Sequence, residues 1–138
     1  MKHILVAFEE RPVSERVLVR SAELARAFGA RVTVTSVAPT IIRAGRGIGP
    51  YDPADPPARH EHEVTTAVAR LETLGVRDVT GVPLVGDPAD EIVGLAKTKG
   101  ADLVVLGAHD GGFWSRLLEG STEDAVAHHS PVDVLIVH

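Results

Sequence analysis

Short segments rich in apolar and β-branched residues alternate with helical periodicity along the chain, and this alternation constrains the fold more than any other feature. The segments are the continuous apolar run at residues 4–8, the β-branched residues 32–37, the weaker 79–85, and residues 103–106 and 132–137. Continuous apolar runs are typical of strands that are buried on both faces of a parallel sheet, and β-branched residues favour strands. The chain is therefore predicted to contain five such strands.

Apolar residues that recur at three- and four-residue steps fill the gaps between these segments and predict amphipathic helices. They are Val13, Val17, Leu18, Ala22, Ala25 and Phe28 in the first gap, Val64, Ala67, Val68, Leu71 and Leu74 in the second, and Ala89, Ile92, Val93 and Ala96 in the third. Pro12 is expected in the first turn of helix one, and Gly29, Gly75 and Gly100 are expected at the helix ends.

Capping signals place the starts of the last two helices. Asp87 followed by Pro88 predicts an N-cap and a first helical position. A capping-box pattern at residues 121–124 predicts a short fourth helix, which must end before Pro131.

The resulting order, β-α-β-α-β-α-β-α-β, predicts one α/β domain over residues 1–138. Right-handed crossovers then give an open, doubly wound parallel sheet with helices on both faces. The stretch from residue 39 to residue 57 is rich in glycine and proline and is expected to be an irregular loop, either a flexible insertion or a functional segment.

Composition excludes several classes of protein. The 14 basic and 19 acidic residues give a net charge of −5, and no run of lysine and arginine suggests a nucleic-acid-binding face. There are no cysteines, so disulfides, thiolate metal sites and a cysteine nucleophile are excluded. No apolar run approaches the roughly 20 residues that span a bilayer, and the first residues lack a signal-peptide pattern. A cytoplasmic protein without a membrane partner is expected.

Open α/β sheets bind ligands beyond the carboxyl ends of their strands, where the strand order reverses. The loops expected there are residues 9–11 after the first strand and residues 107–114 after the fourth, which leads to Gly120, Ser121 and Thr122. Glycines allow close approach of a phosphate, and the amides at a helix start favour an anion. The same glycines would also serve ordinary turns. A P-loop and a Gly-x-Gly-x-x-Gly motif after a strand are both absent.

The second half of the chain resembles the universal stress protein family in the order of its motifs: Gly107, then Gly120-Ser121, a short helix, Pro131 and a Val-rich last strand. The resemblance covers essentially the whole chain. It implies an adenine-nucleotide alpha-hydrolase-like fold with strand order 3-2-1-4-5. It also implies a homodimer formed through the last strand, from Val132 to Val137. Some members of that family bind ATP, related ones bind other adenine nucleotides, and others bind none.

The resemblance implies a set of residues that would line a nucleotide site. They are Ala7, Glu9, Val37, Gly107, His109, Asp110, Gly120, Ser121 and Thr122. Two features depart from the family pattern: Asp110 stands where ATP-binding members have a second glycine, and Glu9, Glu10 and Arg11 replace Asp-Gly-Ser. At roughly 6 Å and an effective dielectric constant near 20, a carboxylate repels a phosphate charge by about 3 kcal/mol, or about a hundredfold in affinity. Mg²⁺ bridging Asp110 to the phosphates would offset this repulsion.

Two functional hypotheses follow. In the first, the chain is a regulatory binder of an adenine nucleotide such as ATP, AMP or cyclic AMP, with Mg²⁺ as a possible companion and at most very slow ATP hydrolysis. In the second, it is a dimerising interaction module of the same fold that binds no nucleotide. No catalytic residue is predicted, because Ser121 has no evident His–Asp partners.

Neighbouring histidines at residues 60–62 and 128–129 raise the alternative of a metal site. Residues one or two apart point to different faces of a helix and chelate poorly. These histidines are therefore predicted to lie on the solvated surface, and no metal site is predicted.

Overall fold

The computed structural model describes residues 1–42, 48–49, 52–108 and 132–138. At residues 41–42 and 48–49 the description covers the backbone and not the side chains. The described strands are β1 His3–Ala7, β2 Arg31–Pro39, β3 Ile41–Ile42, β4 Ile48–Gly49, β5 Val79–Gly86, β6 Leu103–Gly107 and β7 Asp133–Val137. The described helices are α1 Ser14–Phe28, α2 Pro57–Thr73 and α3 Pro88–Lys99.

Five parallel strands form the main sheet in the order β5-β2-β1-β6-β7. Numbered among themselves along the chain, these strands have the order 3-2-1-4-5, which confirms the predicted fold class. Alternation along β1 separates the two faces, since Ile4 and Val6 pack with α1 and α2 whereas Leu5 and Ala7 pack with α3. The sheet is therefore covered on both faces, as its continuous apolar strands require.

Helix ends follow the local signals for the most part. The Asp87 side chain accepts a hydrogen bond from the Asp90 amide at 3.1 Å, with Pro88 at the first helical position. Gly29 and Gly100 both adopt left-handed conformations at helix ends, with φ of 65° and 66°. These glycines end α1 and α3 as predicted.

The start of α1 differs from the prediction, because Pro12 lies in a turn before the helix rather than in its first turn. The Ser14 amide donates to the Arg11 carbonyl at 2.9 Å, and the Ser14 hydroxyl accepts from the Arg11 amide at 2.6 Å. This closed turn uses the groups that would otherwise extend the helix backwards, so α1 begins at Ser14.

Within the stretch predicted to be an irregular loop, the described residues include strand segments. Strand β2 continues to Pro39, and β3 pairs with β4 in antiparallel register, Ile41 opposite Gly49. Helix α2 begins at Pro57, where the proline has no amide hydrogen to leave unpaired. The fourth helix predicted from residue 121 lies outside the described residues.

The amino terminus is anchored beside β6. The Asp102 carboxylate accepts hydrogen bonds from the backbone amides of Lys2 and His3 at 2.8 and 2.9 Å, which hold the pKa of Asp102 below its usual value. The His3 ring lies 3.0 Å through Nδ1 from the Lys99 carbonyl and 2.7 Å through Nε2 from Thr33 Oγ1. A carbonyl only accepts, so Nδ1 carries the proton, and burial lowers the pKa of His3 below 6.5.

Gly107 ends β6 where α1 crosses it. A Cβ added to Gly107 would lie 2.8 Å from Cγ1 of Val13 and 3.1 Å from Cγ2 of Val17. The missing side chain therefore lets the first turn of α1 approach the carboxyl end of β6. None of the helices in the described parts of the chain combines the length and the hydropathy that a membrane span needs.

His3→Asn should reduce the free energy of unfolding by about 1–2 kcal/mol at pH 7.5, because the hydrogen bond to Thr33 is lost. Burial favours the neutral form of His3 in the folded protein. The contribution of His3 to the free energy of unfolding is therefore full above about pH 6.5 and decreases as the pH falls below that value. The difference between wild type and variant should thus shrink from pH 7.5 to pH 5 in urea unfolding. His62→Asn, which changes an exposed histidine, is the control. If the difference in the free energy of unfolding between wild type and His3→Asn stays constant with pH, His3 is not kept neutral by the fold.

Gly107→Ala should destabilise the fold by about 1–3 kcal/mol, because the new methyl group overlaps Val13 and Val17. Gly94→Ala is the matched control, since nothing lies within 4 Å of its added Cβ on α3. That control should gain up to about 1 kcal/mol from helix propensity. Thermal unfolding followed by circular dichroism compares the two, and equal effects would rule out a steric role for Gly107.

Candidate functional site

The sheet reverses direction of winding between β1 and β6, so its carboxyl edge is the expected position of a ligand. Three of the predicted site residues lie there: Ala7 at the end of β1, Val37 near the end of β2 and Gly107 at the end of β6. Ala7 and Val37 are buried and belong to the same apolar cluster, on the face covered by α3. The fold therefore brings these sequence-distant residues to one edge of one sheet.

His109, Asp110, Gly120, Ser121 and Thr122 lie outside the described residues. The described part of the candidate site is therefore formed by the ends of β1, β2 and β6 together with the loop before α1.

An ion pair and the hydroxyl group of Ser14 fix the loop after β1. Glu9 Oε1 accepts from Arg11 Nη2 at 2.9 Å, in an ion pair of half-buried side chains. The Ser14 hydroxyl donates to the Glu9 carbonyl at 2.5 Å while accepting from the Arg11 amide. Glu9 is thus fixed through both its backbone and its side chain.

Two buried polar atoms of this loop have no hydrogen-bond partner within the described part of the chain: Oε2 of Glu9 and Nε of Arg11. Buried polar atoms are normally paired, so each unpaired one needs an explanation. A cavity of ≈ 10 Å³ is lined by Ala7, Glu9, Arg11, Ser14 and Gly107 among others. A hydroxyl group is of the type that either atom needs, because it accepts from a guanidinium and donates to a carboxylate.

A much larger cleft of ≈ 1170 Å³ lies at the opposite, amino-terminal edge of the sheet. It is lined by the ends of all three described helices, at Gly29, Gly75 and Gly100, together with Arg26 and Arg77. Helix carboxyl ends carry partial negative charge, which the basic side chains offset. The lining also includes Lys2, Arg31, Asp78 and Asp102, so its charge does not decide between the two edges. The carboxyl edge remains the better candidate, because open α/β sheets bind ligands beyond the carboxyl ends of their strands.

A polar cluster underlies the end of β2, on the face covered by α2, and we call it the Ser36 cluster: the buried residues Ser36, His60 and Glu63 and the partly buried Asp55. His60 Nδ1 lies 2.6 Å from Ser36 Oγ, and His60 Nε2 lies 2.7 Å from Asp55 Oδ1. Ser36 Oγ also lies 3.0 Å from Glu63 Oε2.

The prediction that His60 lies on the solvated surface was therefore wrong, because His60 is only 5% exposed. Glu61 and His62 are exposed as predicted. The signal for His60 was present in the sequence, since it precedes Val64, Ala67 and Leu71 at four-, three- and four-residue steps and so shares their buried face. In the described ranges, no three histidine or acidic side chains are grouped so that they could hold a metal ion.

Comparison with known proteins identifies the family. The model of the universal stress protein family matches residues 1–138. Universal stress protein A of Escherichia coli (strain K12) is 29% identical over 137 residues, covering 99% of this chain and 93% of that protein. Universal stress protein Rv1636 of Mycobacterium tuberculosis is 39% identical over 72 residues, or 52% of this chain, and the match spans only 49% of that relative's length.

A solved structure described as a universal stress protein in complex with cAMP matches with a TM-score of 0.71 and 28% identity, covering 99% of this chain and 96% of that one. The likeness therefore extends over sequence and fold alike. The chain belongs to the universal stress protein family.

Proposed function

We propose that this chain binds an adenine nucleotide at the carboxyl edge of the sheet, as a regulatory protein of the cytoplasm. Membership of the family supports the proposal, as does the similar universal stress protein that was solved in complex with cAMP. The convergence of Ala7, Val37 and Gly107 at one edge, with Ala7 and Val37 in one apolar cluster, gives apolar walls that suit a flat base.

The observation that carries the proposal is the carboxylate of Glu9. One of its oxygens is bound by Arg11, whereas the other is buried and has no partner among the described residues. A ribose hydroxyl donating to this oxygen would remove the cost of leaving it unpaired. In our proposal Glu9 therefore recognises the sugar, and its ion pair with Arg11 holds the carboxylate in place.

The charge at the loop after β6 favours some nucleotides over others. Asp110, expected near the phosphates, repels ATP more than it repels cyclic AMP or AMP, which carry fewer charges. Mg²⁺ would reduce this difference by bridging the carboxylate and the phosphates. Cyclic AMP and AMP are therefore the ligands that we favour in the absence of Mg²⁺.

We further propose that the protein is a homodimer paired through β7. Strand β7 is one edge of the main sheet, and its residues Val134, Leu135 and Ile136 are only half-buried. The opposite edge, β5, contains Pro83, which cannot donate a ladder hydrogen bond and so protects that edge from pairing. A symmetric pair of β7 edges closes at two copies.

Glu9→Gln should weaken nucleotide binding about tenfold to a hundredfold, because a hydrogen bond to a charged group contributes about 1.5–3 kcal/mol. Isothermal titration with cyclic AMP, AMP and ATP, the last with and without Mg²⁺, measures this. Glu10→Gln is the control, because it makes the same substitution at the exposed residue next to Glu9. It should leave the affinity for nucleotide unaltered. No heat of binding with any of these nucleotides on folded protein would overturn the proposal and leave the interaction module as the working account.

Ile136→Lys should convert a dimer into a monomer in analytical ultracentrifugation at micromolar concentration, because it places a charge on the β7 edge. Val85→Lys is the matched control on the β5 edge, where Val85 is already 43% exposed. The control should remain dimeric. A monomeric wild type, or dissociation caused by Val85→Lys instead, would refute pairing through β7.

A further inference from the structure

We propose that the Ser36 cluster holds one proton in the folded protein, carried by His60 as an imidazolium, and that this proton ties the start of α2 and the turn before it to the end of β2. The three residues that contact His60 come from three segments: Ser36 from β2, Asp55 from the turn at residues 52–56 and Glu63 from α2. The inference concerns a buried site separate from the candidate nucleotide site.

Counting donors leads to this proton. Ser36 has one hydroxyl hydrogen, yet its oxygen lies 3.0 Å from Glu63 Oε2 and 2.6 Å from His60 Nδ1. An ionised carboxylate can only accept, so the contact with Glu63 uses the hydroxyl hydrogen. His60 Nδ1 must then donate to the Ser36 oxygen.

The other ring nitrogen leads to the same result. His60 Nε2 lies 2.7 Å from Asp55 Oδ1, and an ionised Asp55 offers no hydrogen. Nε2 must therefore donate as well. A ring that donates from both nitrogens is an imidazolium, so the three short contacts together require one proton more than a neutral histidine beside two carboxylates.

Neighbouring charges favour the ring over Glu63 as the place of this proton. Arg59 Nε donates to Glu63 Oε1 at 3.2 Å, and Arg59 Nη1 lies 3.5 Å from Asp55 Oδ1. Each carboxylate therefore already has a cation beside it, and the added proton is better placed on the ring. An imidazolium between them lies 3.8 Å through Nδ1 from Glu63 Oε2. With both carboxylates ionised, Arg59 and His60 give the four groups a net charge of zero.

The described elements packed against α2 place few other charges near this group. Strand β5 carries no charged residue between Val79 and Gly86, and the only charged residue of β2 is Arg31, five residues before Ser36. The described ion pair from α1 joins Glu15 to Arg70, seven residues after Glu63. Within the cluster, the Glu63 and His60 side chains are only 1% and 6% exposed. A buried polar atom without a hydrogen-bond partner lowers the stability of the fold. Loss of the proton would therefore also break one of the three contacts of the cluster.

The proposed proton makes stability depend on pH in a defined direction. In the unfolded chain, histidine is protonated only below about pH 6.5. If the folded protein keeps the proton above that value, its contribution to stability is full below about pH 6.5 and declines as the pH rises, by up to about tenfold in the unfolding constant per pH unit. This direction is opposite to that of His3, which favours the neutral form when folded.

The first experiment uses the wild-type protein labelled with ¹⁵N at histidine. At pH 7.5, the two ring nitrogens of His60, assigned by comparison with a His60→Gln sample, should both show the chemical shifts and the attached hydrogens of an imidazolium. A ring with one bare nitrogen at this pH would overturn the proposal.

The second experiment removes the need for the proton without removing the hydrogen bonds. In Glu63→Gln, the side-chain amide can donate to Ser36, the Ser36 hydroxyl can donate to His60 Nδ1, and a neutral His60 can still donate to Asp55. Urea unfolding from pH 6 to pH 9 should therefore show wild type losing stability relative to Glu63→Gln as the pH rises. The contribution of His3 is common to both proteins and cancels.

Glu61→Gln is the control, because it makes the same change two residues away on the exposed face of α2. Its pH dependence should match that of wild type. An identical pH dependence for wild type and Glu63→Gln would overturn the proposal. If Glu63→Gln fails to fold, the nitrogen shifts of wild type still decide the question.

Discussion

The complete burial of β1 is the constraint on which the rest of the structure depends. All five of its residues are buried, and it pairs in parallel with β2 on one side and β6 on the other. A strand without a solvated face must have helices above and below it, and parallel neighbours require crossover connections. The two faces and the reversal of winding beside β1 follow from this requirement, and the reversal creates the edge where Ala7 and Gly107 meet.

Local sequence signals predicted most of the fold because they act over a few residues. The apolar and β-branched segments located the five main strands, and Asp87, Gly29 and Gly100 marked helix ends where side-chain capping or a left-handed conformation was required. The start of α1 was misplaced because Ser14 closes a turn with Arg11, a hydroxyl contact that competes with the proline signal. The β3–β4 pair was missed because two-residue strands carry too little pattern to detect.

The candidate site was only partly predictable. Strand ends located Ala7, Val37 and Gly107, since the topology of a doubly wound sheet fixes where such ends meet. The pairing of Glu9 with Arg11, and the oxygen that it leaves free, depends on side-chain geometry that spacing does not encode. His60 was assigned to the surface because it was considered with its two neighbours rather than with the apolar stripe that it joins one turn later. Long-range contacts with Ser36 and Asp55 decide its environment.

Pro83 in β5 has a consequence for how this protein behaves at high concentration. A sheet with two open edges can add copies at both ends and grow into a fibre. Pro83 removes one backbone donor from the β5 edge, so that edge is less suited to adding a further strand than β7 is. If two copies pair through β7 as proposed, the β5 edges are the ones left open, and Pro83 then works against growth of the dimer into a fibre.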